Sequence, residues 1–185
     1  MAILHRATLV PTKMELLAAW LPDQDWSDGS AEAPTPVAAY RFDDPAGQVG
    51  IESHLVEVGG RTFHVPVTYR GAPLDGVQTG LVGTLEHSVL GTRWVYDAVV
   101  DPVYLAEVAR VIREADTQVD LVVETPAGPE RREQTMGVRG SGGTVPDHAR
   151  VVVVRKPSTP ASAGGPALTG TWPGRTVETV LVHLA

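Results

Sequence analysis

Glu86 and His87 stand side by side, and Asp97 and Asp101 follow shortly after. These are the residues whose types could support proton transfer, because an acid–base centre combines a histidine with carboxylates of tuned pKa. Each also has a plainer reading. Asp101 precedes Pro102 and reads as a helix N-cap followed by proline at the first helical position. Glu86-His87 reads as a polar turn. His5, His54, His64, His148 and His183 show neither an H-E-x-x-H arrangement nor any other metal-ligand spacing, so no metal site is expected. Gly137-Val-Arg-Gly140-Ser-Gly142-Gly143 lacks the lysine of a phosphate loop and precedes no convincing helix, so it reads as a flexible loop. Gly-x-Ser-x-Gly is absent, and Ser141 and Ser162 stand in loop-like surroundings. Asp147-His148 is not the His-x-Asp of a phosphoryl-transfer loop, and the chain contains no Asn to follow it. No catalytic residue and no cofactor are expected on these grounds.

The aromatic residues suggest a different chemistry. Trp20, Trp26, Trp94 and Trp172, with Tyr40, Tyr69, Tyr96 and Tyr104, could stack on a sugar or anchor a protein partner, although core packing is the plainer role. Trp26 and Trp172 lie in turn-rich stretches and are expected to be partly exposed.

The elements that must carry these residues centre on 91–112, GTRWVYDAVVDPVYLAEVARVI. A strand over 92–100 leads into a helix from Pro102, where Leu105, Val108, Ala109 and Ile112 share one face. Upstream, 3–10 is expected as an edge strand. Thr12-Lys-Met-Glu15 has the capping-box pattern and starts a helix over 13–21. A strand over 37–42 ends in the turn 43–47, and 49–58 and 61–69 flank Gly59-Gly60 as a hairpin. Pro66 in the second arm suggests an edge position or a bulge, since it cannot donate to a ladder. Further strands are expected over 81–85, 118–124, 149–155 and 176–184, with a poor one near 135–139 and a flexible loop over 157–166. The 149–155 run is apolar enough to be buried on both faces. Strands joined by short turns outnumber helices. The class is therefore α+β, a mostly antiparallel sheet with one or two helices packed on one face.

At 185 residues with 43% hydrophobic content, the chain can build one substantial core, and a single domain over 1–185 is expected. The net charge of −7 comes without a Lys/Arg block, which disfavours a nucleic-acid or anionic-membrane partner. Cysteine is absent, so disulfides and thiolate metal sites are excluded. The opening MAILHRATLVPTK is unlike a secretory leader, and no later run has the length of a membrane span, so a cytoplasmic location is expected.

Three stretches, PTKMELLAAWLPDQDW, FHVPVTYRGAPLDG and GTRWVYDAVVDPVYL, together resemble the N-terminal cap of bacterial maltokinases over about 11–115. Nearly the whole chain is similar to stand-alone actinobacterial proteins described as maltokinase N-terminal cap-like, some of them labelled 1,4-α-glucan branching proteins. The resemblance implies a curved sheet embracing a helix, comparable to cystatin or monellin, with further strands over 116–185. Arg93, Trp94, Tyr96 and Asp97 match the cap motif, and their implied role is structural. Since the kinase motifs are not in this chain, the resemblance carries over a fold and a docking surface rather than an activity. It implies a non-catalytic module with a protein partner, a kinase or glucan enzyme of trehalose, maltose and α-glucan metabolism. A small sugar- or nucleotide-binding protein is the alternative, and a glucan-branching or glucan-hydrolysing enzyme is a third reading that 185 residues hold poorly. The surface expected to meet a ligand or partner comprises Trp26, Glu86, His87, Arg93, Trp94 and Trp172.

Overall fold

The computed structural model describes residues 2–4, 7–77, 79–125, 128–145, 148–158 and 165–185. His5, Asp147, Ser162 and the 159–164 part of the expected loop lie outside the described residues.

Local codes set the first elements. In place of one edge strand over 3–10 there are two short ones, β1 (Ala2–Leu4) and β2 (Leu9–Val10). The Thr12 hydroxyl accepts the Glu15 amide while a Glu15 carboxylate oxygen accepts the Thr12 amide at 2.7 Å, closing the reciprocal box that starts α1 (Lys13–Trp20). β3 (Thr35–Asp43), β4 (Gly50–Val58) and β5 (Arg61–Arg70) form an antiparallel meander. Gly59 and Gly60 both have positive φ, +57° and +73°, as the primed two-residue turn between β4 and β5 requires. β6 (Leu81–His87) and β7 (Gly91–Asp97) follow as a second hairpin. A 3-10 turn over Ala98–Val100 then leads to α2 (Pro102–Glu114), whose N-cap Asp101 accepts the Val103 amide at 2.9 Å. The expected proline at the first helical turn is in place.

The six-stranded sheet has the order β2-β6-β7-β5-β4-β3, and all its pairs are antiparallel. Beyond α2, β8 (Leu121–Thr125) and β9 (Gly128–Arg132) join β1 in a small sheet whose β1–β8 pair is parallel. β10 (Gly137–Gly140), β11 (Val151–Val153), β12 (Ala167–Trp172) and β13 (Arg175–Leu184) form an antiparallel sheet in the order β10-β12-β13-β11. The fold is α+β, with a curled, mostly antiparallel sheet and two helices.

Strand alternation gives the six-stranded sheet two apolar faces. On one, Val56, Val58, Phe63, Val65, Val67, Leu85 and Val95 pack against Leu16 and Leu17 of α1. On the other, Tyr40, Phe42, Ile51 and Leu55 pack against Tyr104, Val108, Val111 and Ile112 of α2 and against Val138, Leu168 and Leu181 of the second sheet. Each helix takes a face of its own.

Several expectations are corrected. Pro66 lies in an interior strand, opposite Ser53, rather than at an edge. The physical reason is a change of partner along β5: the His64 amide donates to the Arg155 carbonyl at 2.8 Å, while pairing with β7 starts at Val67. Pro66 would donate on the same side as His64, in the gap between those partners, so its missing N–H costs no ladder bond. The 149–155 run narrows to β11, whose three valines are half-buried rather than buried on both faces. β9 and β12 were not foreseen. Gly137–Gly140, expected in a flexible loop, is the strand β10, held by β12, and with the residues after it caps the C-terminal end of α2, with the Gly140 amide on the Asp116 carbonyl at 2.9 Å and the Gly142 amide on the Ile112 carbonyl at 2.8 Å.

Candidate functional site

On the α1 face, where β3 turns into β4, the sheet opens into a cleft of about 610 Å³ lined on one side by Leu9, Leu85 and Leu90 and on the other by the 43–50 turn. Its polar side chains arise from an alternation that elsewhere supplies valine: Glu52 and His54 are in phase with Val56 and Val58 on β4, and Arg41 lies opposite Glu52 on β3. Glu52 is 8% exposed and is ion-paired with Lys13, which also stands 5.4 Å from the centre of the Tyr69 ring. The Tyr69 hydroxyl lies 3.3 Å from His54 Nε2, and His54 Nε2 lies 3.7 Å from the Glu52 carboxylate.

Burial alone would push the Glu52 carboxyl up, but His54 where it is protonated, Lys13 and Arg41 hold it well below the ordinary carboxylate range. Burial also pushes His54 down to about 4, against the pull of Glu52, so His54 is neutral at physiological pH and Lys13 and Arg41 keep Glu52 ionised there. Burial raises the Tyr69 hydroxyl far above its usual value, and the Glu52 charge adds to this. Asp44 caps the turn, its carboxylate accepting the amides of Ala46, Gln48 and Val49 at 2.9–3.0 Å.

Two of the residues expected at a ligand or partner surface line this cleft. His87 Nδ1 accepts the Val89 and Leu90 amides at 3.2 and 3.1 Å, so in the neutral ring Nε2 carries the proton, and Arg93 Nη2 donates to the Leu90 carbonyl at 2.6 Å. Glu86 and Trp94 sit on the other side of β6 and β7, where Glu86 is exposed and accepts the Thr92 hydroxyl at 2.7 Å. Trp94, half-buried, lies between Thr84 and Arg70 in register. Trp26 is half-buried, edge-on to Trp20 at 5.7 Å and covered by the Arg155 guanidinium at 4.5 Å. Trp172, expected to be partly exposed, is only 8% exposed and packs in the α2-side core. The residues do not form one patch.

The acid–base candidates do not converge either. Asp97 pairs with Arg155 at 2.5 Å on the α1 side of the sheet. Asp101 is fully buried toward the opposite face, where it accepts Thr68 Oγ1, Arg70 Nε and Arg70 Nη2, each at 2.7 Å. Both carboxylates are consumed as structural ties. Arg41 and Glu52 are absent from the sequence reading, which takes up Tyr69 only as one of eight aromatics and His54 only as a rejected metal ligand, although the phase of Val56 and Val58 already places Glu52 and His54 on a buried face, an unusual address for charge.

Among the described residues no helix is long and apolar enough to cross a membrane. No match to the chain was found among curated proteins. Residues 20–101 match the maltokinase N-terminal cap domain. That stretch, which is similar to a maltokinase cap, holds β3 to β7 and most of the cleft wall and ends on the N-cap of α2.

Proposed function

We propose that the chain is a cap-like module without chemistry of its own that acts, in the cytoplasm, by binding a protein partner, a kinase or glucan enzyme of trehalose, maltose or α-glucan metabolism. The match of residues 20–101 to a maltokinase cap carries this reading. Support comes from the fate of the candidate carboxylates, which are tied to Arg155 and Arg70 toward opposite faces instead of sharing a groove. A surface suited to docking exists on β2, β6 and β7: Val10 is 63% exposed, Trp94 is half-buried, and no residue of β6 or β7 enters the α2-side core among the described residues. Apolar and aromatic residues flanked by polar ones are the usual anchors of a protein interface. Titrating the chain against the kinase domain of a maltokinase freed of its own cap should show saturable association at micromolar concentrations, weakened at least tenfold by Trp94→Ala. Absence of association with such a domain and with glucan enzymes would overturn the reading.

The cleft favours a second reading, a small-molecule-binding protein for a sugar or nucleotide, because about 610 Å³ with apolar walls and a few charged groups matches the usual ligand pocket. Thermal melts in millimolar maltose, trehalose, maltodextrin and ATP decide whether it takes a ligand.

A further inference from the structure

Two arginines of the cleft are set over glycines. Arg41 lies across Gly50, its Nη2 3.5 Å from where a Cβ would stand, and Arg93 lies across Gly71, its Nη1 2.9 Å from that position. Gly71 follows the end of β5, two residues beyond Tyr69, the cross-strand partner of Gly50. An alanine at 71 would drive into the Arg93 guanidinium, and the absent side chains at 50 and 71 leave the floor on which both guanidinium groups rest.

The hydrogen-bonding capacity of this cleft is unevenly spent. Its carboxylates are engaged: Glu52 by Lys13, Asp44 by three backbone amides, and Asp43 by an interaction of its own. Its guanidinium groups are less filled: among the described residues the Arg41 side chain makes no hydrogen bond, its charge acting on Glu52, and Arg93 makes one, from Nη2 to the Leu90 carbonyl, while both Nε atoms are buried without a partner. A buried donor left unmade is costly, and a guanidinium fork is the group best matched to two oxygens of one anion. What the cleft lacks is acceptors.

We propose that this cleft binds a small organic phosphate, with Arg41 and Arg93 clamping the phosphate oxygens and the Leu9, Leu85 and Leu90 wall receiving the organic part. The volume far exceeds that of a bare phosphate ion and suits a phosphorylated sugar or a nucleotide. The proposal rests on the ligand-binding reading above and specifies the group recognised. It is independent of partner docking on β6 and β7.

The test is a set of thermal melts and calorimetric titrations of the whole chain with inorganic phosphate, glucose 1-phosphate, ATP, glucose and maltose. Glucose 1-phosphate or ATP should raise Tm and bind at millimolar or lower concentration, with affinity falling as salt rises, while glucose gives no shift. Arg41→Gln and Arg93→Gln should each weaken that binding at least tenfold, Arg93→Gln with unliganded Tm and circular dichroism close to the parent chain and Arg41→Gln with a lower unliganded Tm, because the buried Glu52 loses one of its cations. If one variant fails to fold, the other and competition by inorganic phosphate against glucose 1-phosphate still decide the matter. Tm shifts from maltose or glucose with no preference for the phosphate esters would keep the ligand-binding reading and sink the phosphate clamp, as would binding indifferent to both arginines. No shift from any compound would retire both.

Discussion

Asp101 ends the approach to α2 and anchors it. Its two carboxylate oxygens accept from Val103, Thr68 and both forks of Arg70, so one side chain caps the helix and ties it to β5. The capping half of this role is local and legible in the Asp-Pro pair, whereas the arginine that neutralises the charge comes from 31 residues earlier and is set by strand register. The same division holds for the histidines. Val56 and Val58 mark the face that His54 shares, but nothing near His64 says that its own face is covered; the two are 6% and 0% exposed because β5 is an interior strand covered on both faces and β4 lies beside it. His64 Nε2 sits 3.0 Å from the Tyr40 hydroxyl, and burial pushes its pKa down to about 3, as it pushes His54 to about 4. Both start from 6.5 in the unfolded chain. Between 6.5 and those lower values the unfolded chain takes up protons that the folded chain refuses, so the stability is complete above about pH 6.5 and drains away as pH falls. At pH 5 the loss is about 2 kcal/mol per histidine. Urea titrations at pH 7.5 and pH 5 should show the midpoint drop with the slope unchanged, and His64→Gln should be less stable at pH 7.5 but less sensitive to pH. Equal midpoints at the two pH values for the parent chain would mean that these histidines are not held neutral by burial.

At the scale of elements, what could be read early is what carries its own code. The capping box of α1, the Gly-Gly turn between β4 and β5 and the Asp-Pro start of α2 depend on neighbours a few residues away, and each is found where it was expected. β12 carries no such code: Ala-Leu-Thr-Gly-Thr-Trp has no strong alternation, and it becomes a strand because β10 and β13 pair with its two edges. Trp172 is buried with it. Gly140 shows how tightly the second sheet meets α2. A Cβ there would stand 2.0 Å from the Val111 carbonyl oxygen and 2.7 Å from Ile112 Cα, and neither is the movable end of a side chain. Gly140→Ala must therefore push β10 off the helix, breaking the hydrogen bond from the Gly140 amide to the Asp116 carbonyl and loosening Val138 in the core. A loss of more than about 3 kcal/mol is expected, since overpacking against backbone leaves no cheap relaxation. Gly137→Ala is the control, because no atom lies within 4 Å of its Cβ position. Comparable urea midpoints for the two variants would show that the β10–α2 contact is looser than described.

The molecule as a whole is a sheet that needs cover on both sides. α1 covers one face, but Tyr40, Phe42, Ile51 and Leu55, each at most 2% exposed, are buried by α2 and the second sheet, all of which follow residue 101. Arg155 ties the later part of the chain to the cap-like part, accepting the His64 amide, pairing with Asp97 and covering Trp26. The stretch that matches the maltokinase cap thus holds most of the strands of the main sheet but not its complete core. We infer that residues 1–185 unfold as one unit and that 1–101 alone does not reach the native state, because its bare face would expose four large side chains whose burial is worth about 1.5–3 kcal/mol each. Leu17→Ala, in the α1-side core, and Leu181→Ala, in the second sheet, should each remove about 2–5 kcal/mol from a single transition seen identically by tryptophan fluorescence and far-ultraviolet circular dichroism. A fragment 1–101 should give broad, uncooperative melting. If Leu181→Ala instead melts in two steps, with the tryptophan signal surviving the first, or if 1–101 melts sharply with native-like fluorescence, the cap-like part is a domain by itself and the second sheet an appended one.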